Sequence, residues 1–313
     1  MYNENWLSSQ RWDSVPLDAV LPAFLIALLG YFAGKRLNLD KQILSRVCLY
    51  ILVPALTFNS LATSKVDLAV AWRLALAVVA FPFAQVLLFA ALFKLLRWEP
   101  GIARSMLLPA VFTNAGNYGL PVCLFAFGQQ GMDLGVVFMV TQTVMLYTVG
   151  TFIAASSQMN ARTAMRQVLK MPAVYAAAAG VLVRALEVPV PDVVGRPVAL
   201  LGQAAVPVLL LVLGMQLTGN GETRDSWKEP GVVVFLRLVV APALAGLMGM
   251  AVGLNGLAWK ILVLQGAMPP PVNATILAQE FNAHPGAVSK ATMGGTLASV
   301  LTLSLWIMFL RGI

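Results

Sequence analysis

The chain of 313 residues is 59% hydrophobic and 11% charged, with a net charge of +8 and a mean hydropathy of +0.81. A soluble domain carries about 25% charged residues, so this composition excludes a soluble globule and implies an integral membrane protein. The basic residues lie in small groups between apolar stretches, as topology signals do, which argues against nucleic acid as a partner.

The N-terminus, MYNENWLSSQRWDSVPLDAV, lacks the basic n-region and small-residue cleavage site of a signal peptide. Trp6 and Trp12 suit a membrane surface. A helix needs roughly 20 apolar residues to cross the hydrocarbon. Ten stretches are read as spans, in chain order: about 17–34, 43–62, 68–95, 102–127, 134–156, 172–188, 197–218, 231–253, 257–281 and 287–310. With the N-terminus outside, thirteen Lys and Arg fall on the inside and seven on the outside. The positive-inside rule therefore places both termini outside.

The fourth and ninth spans are interrupted. TNAGNYGLPV (113–122) puts Asn114, Gly116, Asn117, Tyr118, Gly119 and Pro121 where a plain membrane helix would carry Leu, Val and Ala. Pro121 has no amide hydrogen and disfavours a helical residue before it. Gly116 and Gly119 open the angles needed for a bend. The expected course is a helix ending near Thr113, an unwound stretch over 114–119, and a restart with Pro121 in its first turn. In the ninth span, 259–268 ends at Pro269, Pro270 and Pro271 and restarts through Val272, Asn273 and Ala274.

These breaks belong to an internal repeat. ILVPALTFNSLA (51–62) and AAVPVLLLVLGM (204–215) each carry a central Val-Pro, FPFA (81–84) and APAL (241–244) each place a proline in the next span, and the interruptions follow in the same order. Two five-helix units result, 1–157 and 158–313. Five is odd, so the second unit enters from the opposite face, the inverted-repeat architecture of many secondary transporters. Broken helices at equivalent positions are expected to meet near the midplane. Their restarted halves present free N–H groups and positive dipole ends that favour anions. Their terminated halves present carbonyls that favour cations. Asn114, Asn117 and Asn273 either cap the broken backbone or read a carboxylate, and Tyr118 reads as packing or a gate.

TNAGNYGLPV, QGAMPPPVNATILAQEFNAHPGAVSKA (265–291), LGYFAGKRLNLD (29–40), the LVPAL of the second span and TLASVLTLSLW (296–306) resemble the signatures of the auxin efflux carrier family over nearly the whole chain. That family includes plant auxin carriers and bacterial carriers of malonate, malate and other organic acids. The resemblance implies an all-α membrane protein of ten transmembrane helices in two inverted five-helix repeats, with broken, crossing fourth and ninth helices, a fold like that of the bile acid/sodium symporter superfamily. It implies a scaffold from spans 1, 2, 6 and 7 and a mobile transport domain from spans 3–5 and 8–10. It puts the family's crossover prolines on Pro121 and on Pro270 or Pro271, and its substrate-contacting asparagines on Asn114 or Asn117 and on Asn273. The linker 157–171 is short, which suits a bacterial-type member in the cytoplasmic (inner) membrane. A homodimer through the scaffold is a further expectation.

The expected function is secondary transport of small organic anions, such as malonate- or malate-like dicarboxylates or auxin-like monocarboxylates, by elevator-type alternating access. The alternatives are a cation-coupled symporter of a different amphipathic anion, a channel, or a membrane binding protein that does not transport. Proton-coupled carriers hold an Asp or Glu in the membrane. Here Asp133, Asp192, Asp225, Glu187, Glu222 and Glu229 read as loop residues. Glu280 lies about 10 Å past the ninth-span break and reads as interfacial or as a coupling residue. Thr141, Gln142 and Gln216 either line a cavity or bond between helices. Arg237, early in the eighth span, is expected to snorkel to the surface rather than attract the anion. Cys48, Cys123 and the single His284 form no metal or redox spacing, so no metal and no cofactor is expected. The scarcity of nucleophiles and bases at membrane depth argues against an enzyme.

Overall fold

In a computed structural model, the described residues are 17–37, 39–155, 165–166, 168–218 and 226–312. Trp6, Trp12, Glu222, Asp225 and the unit boundary at 157/158 lie outside them. The described residues form helices and turns without strands. The principal helices, in order, are α1 (Leu17–Arg36), α2 (Lys41–Thr63), α3 (Leu68–Leu95), α4 (Pro100–Val111), α5 (115–127) and α6 (129–154). They continue with α7 (Pro172–Ala185), α8 (Asp192–Gln216), α9 (Lys228–Ala251), α10 (Gly256–Gly266), α11 (Val272–Glu280) and α12 (Pro285–Gly312). Among the described residues six stretches are long and apolar enough to cross a membrane: α2, α3, the run Pro100–Ala154, α8, α9 and α12. Leu87, Leu95, Leu200 and Leu301 stand exposed on the outer surface, a pattern suited to lipid rather than water.

Helix starts follow local chemistry. Asp40 accepts from the amides of Gln42 (2.7 Å) and Ile43, Asp67 from Ala69 (2.7 Å), and Glu99 from Gly101 (2.9 Å) and Ile102 (2.8 Å), each satisfying donors that a helix leaves free. The two amides hold the Glu99 carboxyl below the usual carboxylate range. The Glu99 cap therefore stabilises the start of α4 above that range and is lost as pH falls through the lowered value.

The helices pack in two groups. In the first, α1 lies along α8 and α2 along α7, and α8 also packs on α2. Small residues let these backbones touch. A Cβ on Gly30 would overlap the Leu211 carbonyl oxygen, one on Gly214 would overlap that of Ala27, and one on Gly180 would lie 2.9 Å from that of Phe58. In the second group, α3 packs on α4, α9 and α10, α12 packs on α9 and α11, and the run 120–145 packs on α3 and α10.

Three expectations change. The first break is earlier and shorter than the sequence suggested: α4 ends at Val111, only residues 112–114 leave the helix, and Ala115–Gly119 coils as a wide π-turn. Gly116 and Gly119 therefore do not unwind the chain. Gly119 instead makes room for Gln265, whose side-chain oxygen a Cβ there would overlap. Second, no loop joins the fourth and fifth spans. Gly128, at φ 67° and ψ −163°, turns the chain within one residue, in a region open to glycine. Asp133 consequently sits inside α6, buried, accepting from Ser60 Oγ at 2.5 Å and Gln129 Nε2 at 2.9 Å. Third, Asp192 and Glu229 lie in the first turns of α8 and α9, where the helix dipole favours acids.

Gly214→Ala should lower the melting midpoint of the detergent-purified protein, because a side chain there forces α1 off α8, an overpacking cost of about 1–3 kcal/mol or more. Gly231→Ala, with open space around it, should leave the midpoint unchanged or slightly raised.

Candidate functional site

The two breaks touch. The Asn114 amide donates to the Pro269 carbonyl at 2.8 Å, and the Gly119 amide closes the wide turn on the Asn114 carbonyl at 2.9 Å. Backbone groups severed from their helices thus find partners across the crossing, as burial away from water requires. Pro271, extended at φ −81° and ψ 147°, leads directly into α11.

The restarted halves, α5 and α11, begin side by side. Neither start carries a side-chain cap, and the first amides of a helix have no intrahelical partner. Both starts border one cavity of about 250 Å³ on the seam between the two helix groups. Thr113, Asn114, Gly116 and Asn117 line it from the first break, and Pro271 and Asn273 from the second. Gln142, Thr143 and Tyr147 of α6, Ser45 and Tyr50 of α2 and Gln216 of α8 add to the polar wall, while Val53, Met139, Leu209, Val212 and Ile276 supply an apolar one. Among the described residues that line it, Lys170 is the only one with a charged side chain, and it is exposed.

Within this wall, Gln142 Nε2 donates to Thr113 Oγ1 at 2.8 Å, and Asn117 Nδ2 approaches Gln216 Oε1 at 3.5 Å. Asn114 Nδ2 and Gln142 Oε1 are buried without a partner. An unmet buried polar atom costs about 1–3 kcal/mol, so the wall of the cavity holds one unpaired donor and one unpaired acceptor just behind its surface.

Asn114, Gly116, Asn117, Pro271, Asn273, Gln142 and Gln216 are therefore brought together. The remaining candidates lie elsewhere. Tyr118 is buried edge-on to Phe24, with ring centroids 5.7 Å apart, so it packs the crossing against α1. Gly119 faces Gln265, Pro121 is buried in the restarted helix, and Pro270 fits against Gly295. Thr141 donates back to the Val137 carbonyl. Glu280 is exposed at the end of α11. Thr113, Thr143, Tyr50, Tyr147 and Lys170 were not singled out from sequence. Thr113 alone carried a signal, as the first letter of the interrupted motif.

The terminated halves, α4 and α10, end on the other side of the crossing, and here the sequence reading of Arg237 is wrong. Arg237 does not snorkel: it is fully buried. Its guanidinium donates to the carbonyls of Ala110 (3.1 Å) and Val111 (2.8 Å) at the end of α4, and to that of Gly266 at the end of α10. Gln85 of α3, with its amide turned so that both ends pair, donates to Val111 O at 2.9 Å and accepts from Arg237 at 3.0 Å. The Phe81 ring lies 5.9 Å from the guanidinium carbon. The orphan carbonyls of two helix ends outweigh the pull of the surface, because in lipid they have no water to turn to. A lone Arg and a lone Gln in apolar helices are the signal that could have found this pair.

Comparison with known proteins adds a family. The profile of a family described as membrane transport protein matches residues 16–307. An uncharacterized transporter of Methanothermobacter thermautotrophicus is 26% identical over 92% of this chain and 96% of its own length. The uncharacterized transporter YfdV of Escherichia coli K12 is 25% identical over 92% and 95%. A probable auxin efflux carrier component 1b of Oryza sativa is 25% identical over 46% of this chain and 27% of that protein.

Thr113→Val removes the hydroxyl that accepts from Gln142 Nε2 at 2.8 Å and leaves only the long contact to the Thr113 carbonyl at 3.5 Å. It should destabilise the purified protein by about 1–3 kcal/mol, read as a lower melting midpoint, and Thr113→Ser should restore it.

Proposed function

The chain belongs to the membrane transport protein family, that of the auxin efflux carriers, and we propose that this multi-pass membrane protein is a secondary carrier of small organic anions. The observation that carries the reading is the pair of uncapped helix starts on one cavity without a lining carboxylate. Each start is worth roughly half a positive charge, so two together suit one carboxylate. Asn117 and Asn273 line the same space and supply amide donors, and Lys170 offers a partner for a second carboxylate. A malonate- or malate-like dicarboxylate is therefore favoured over a monocarboxylate. A cavity of about 250 Å³ lies below the range of about 300–1,000 Å³ usual for drug-sized ligands, which supports a small metabolite over a bulky amphipath.

The proposed architecture is ten spans in two inverted repeats, with α4–α5 and α10–α11 as the broken fourth and ninth. The close contacts support it. Aligning Pro54 with Pro207 puts Phe58 opposite Leu211, and these are the residues whose carbonyls face Gly180 and Gly30. One contact thus maps onto the other when the repeats are exchanged. The dense packing of α1, α2, α7 and α8 on one another supports a scaffold and a transport domain, with the cavity on the seam where an elevator would slide. On the proposed topology, with both termini outside the cytoplasmic membrane, Ser45 and Lys170 mark the inner end of the cavity.

Proteoliposomes holding the purified protein should take up labelled malonate or malate saturably and show counterflow. Asn117→Ala combined with Asn273→Ala should cut transport by about tenfold or more, the effect of losing hydrogen bonds to a charged group. Unchanged transport in the double variant would exclude this site, and flux that never saturates would point to a channel.

A further inference from the structure

We propose that Arg237 is a built-in cation, occupying the place where a coupling metal ion would otherwise sit, so that the carrier runs without sodium or another inorganic cation at the crossing. Two helix C-termini aim at one point, each worth roughly half a negative charge. The guanidinium at that point carries one positive charge, so the sum is close to zero. Among the described residues no carboxylate pairs with Arg237. Its compensation comes from the carbonyls of Ala110, Val111 and Gly266, the Gln85 amide oxygen and the Phe81 face.

Without the guanidinium, those same groups form a different object. Three backbone oxygens and one amide oxygen would converge on a buried point, with two helix dipoles adding negative potential. Backbone and amide carbonyl oxygens are the ligand class that holds hard cations. A wild-type chain has no room for one, because the guanidinium fills the point and donates to every oxygen. A variant with a short side chain would open it.

The inference extends the anion-carrier reading to coupling, and its main readout needs no substrate. The melting midpoint of the detergent-purified protein is measured in sodium, lithium, potassium or choline chloride at one ionic strength. The wild type is expected to melt at the same temperature in all four. Arg237→Ser is expected to melt lower in choline and to recover as sodium or lithium is added, the rise growing with the logarithm of cation concentration. Arg237→Lys, which keeps a cation, is expected to stay indifferent to the salt. A wild type stabilised specifically by sodium or lithium overturns the proposal, as does a folded Arg237→Ser variant that ignores all four salts. Should Arg237→Ser fail to fold, wild-type uptake with sodium replaced by choline at a clamped membrane potential decides it: an equal rate supports the built-in cation, and a rate lost without sodium overturns it. Failure of malonate or malate uptake in any salt would instead count against the anion-carrier reading, leaving the melting result to stand by itself.

Discussion

Inside a bilayer a helix cannot simply stop. Its last carbonyls and first amides have no water to bond, so two broken helices leave four such ends to satisfy. The structure deals with the two kinds of end in opposite ways. Both terminated ends converge on Arg237, with Gln85 bracing it, while the restarted ends are left without side-chain caps on the cavity. Satisfying the negative poles permanently is what allows the positive poles to stay available. Had an asparagine capped each restart, the cavity would border neutral helix ends, and its polar wall would have little reason to hold an anion.

The site follows from that asymmetry. The uncapped starts of α5 and α11 sit beside Asn114, Asn117 and Asn273, and beside Gln142, which Thr113 orients. None of these side chains carries a formal charge. Neutral, oriented dipoles suit a ligand that must enter and leave, since a fixed counter-ion at the same depth would bind it more tightly and itself pay for desolvation. The charged residue that the cavity does have, Lys170, stands in the exposed part of its wall.

Much of the helix layout was legible because a span must be about 20 residues long, and apolar runs of that length are bounded by groups of charge. The ninth-span break was legible for a local reason: three consecutive prolines leave helix geometry no choice. The fourth-span break was found but displaced, because its geometry is decided by a partner far away. The Asn114 amide bonds to Pro269, and that bond lets the chain resume at Ala115 as a wide turn instead of unwinding to Gly119. Arg237 was misread for the same reason. Snorkelling depends only on position along a helix, whereas the Ala110 and Val111 carbonyls are more than a hundred residues away in sequence. Asp133 was placed in a loop because connections usually take several residues, and a single glycine at positive φ does the work here.

The glycine notches along α1 and α8 bear on where this molecule can shear. A carbonyl oxygen seated where a Cβ is missing behaves like a key in its slot: moving α1 along α8 takes the Leu211 oxygen out of the notch at Gly30. The α2–α7 contact at Gly180 has the same form. Axial slip within this group is therefore blocked by hard cores rather than by weak attractions. Among the described residues the seam around the cavity has no such notches. Side-chain bonds cross it at Ser60–Asp133 and Asn117–Gln216, and these can break and re-form. The fold thus has one stiff direction of assembly and one compliant plane, and the cavity lies in the compliant plane.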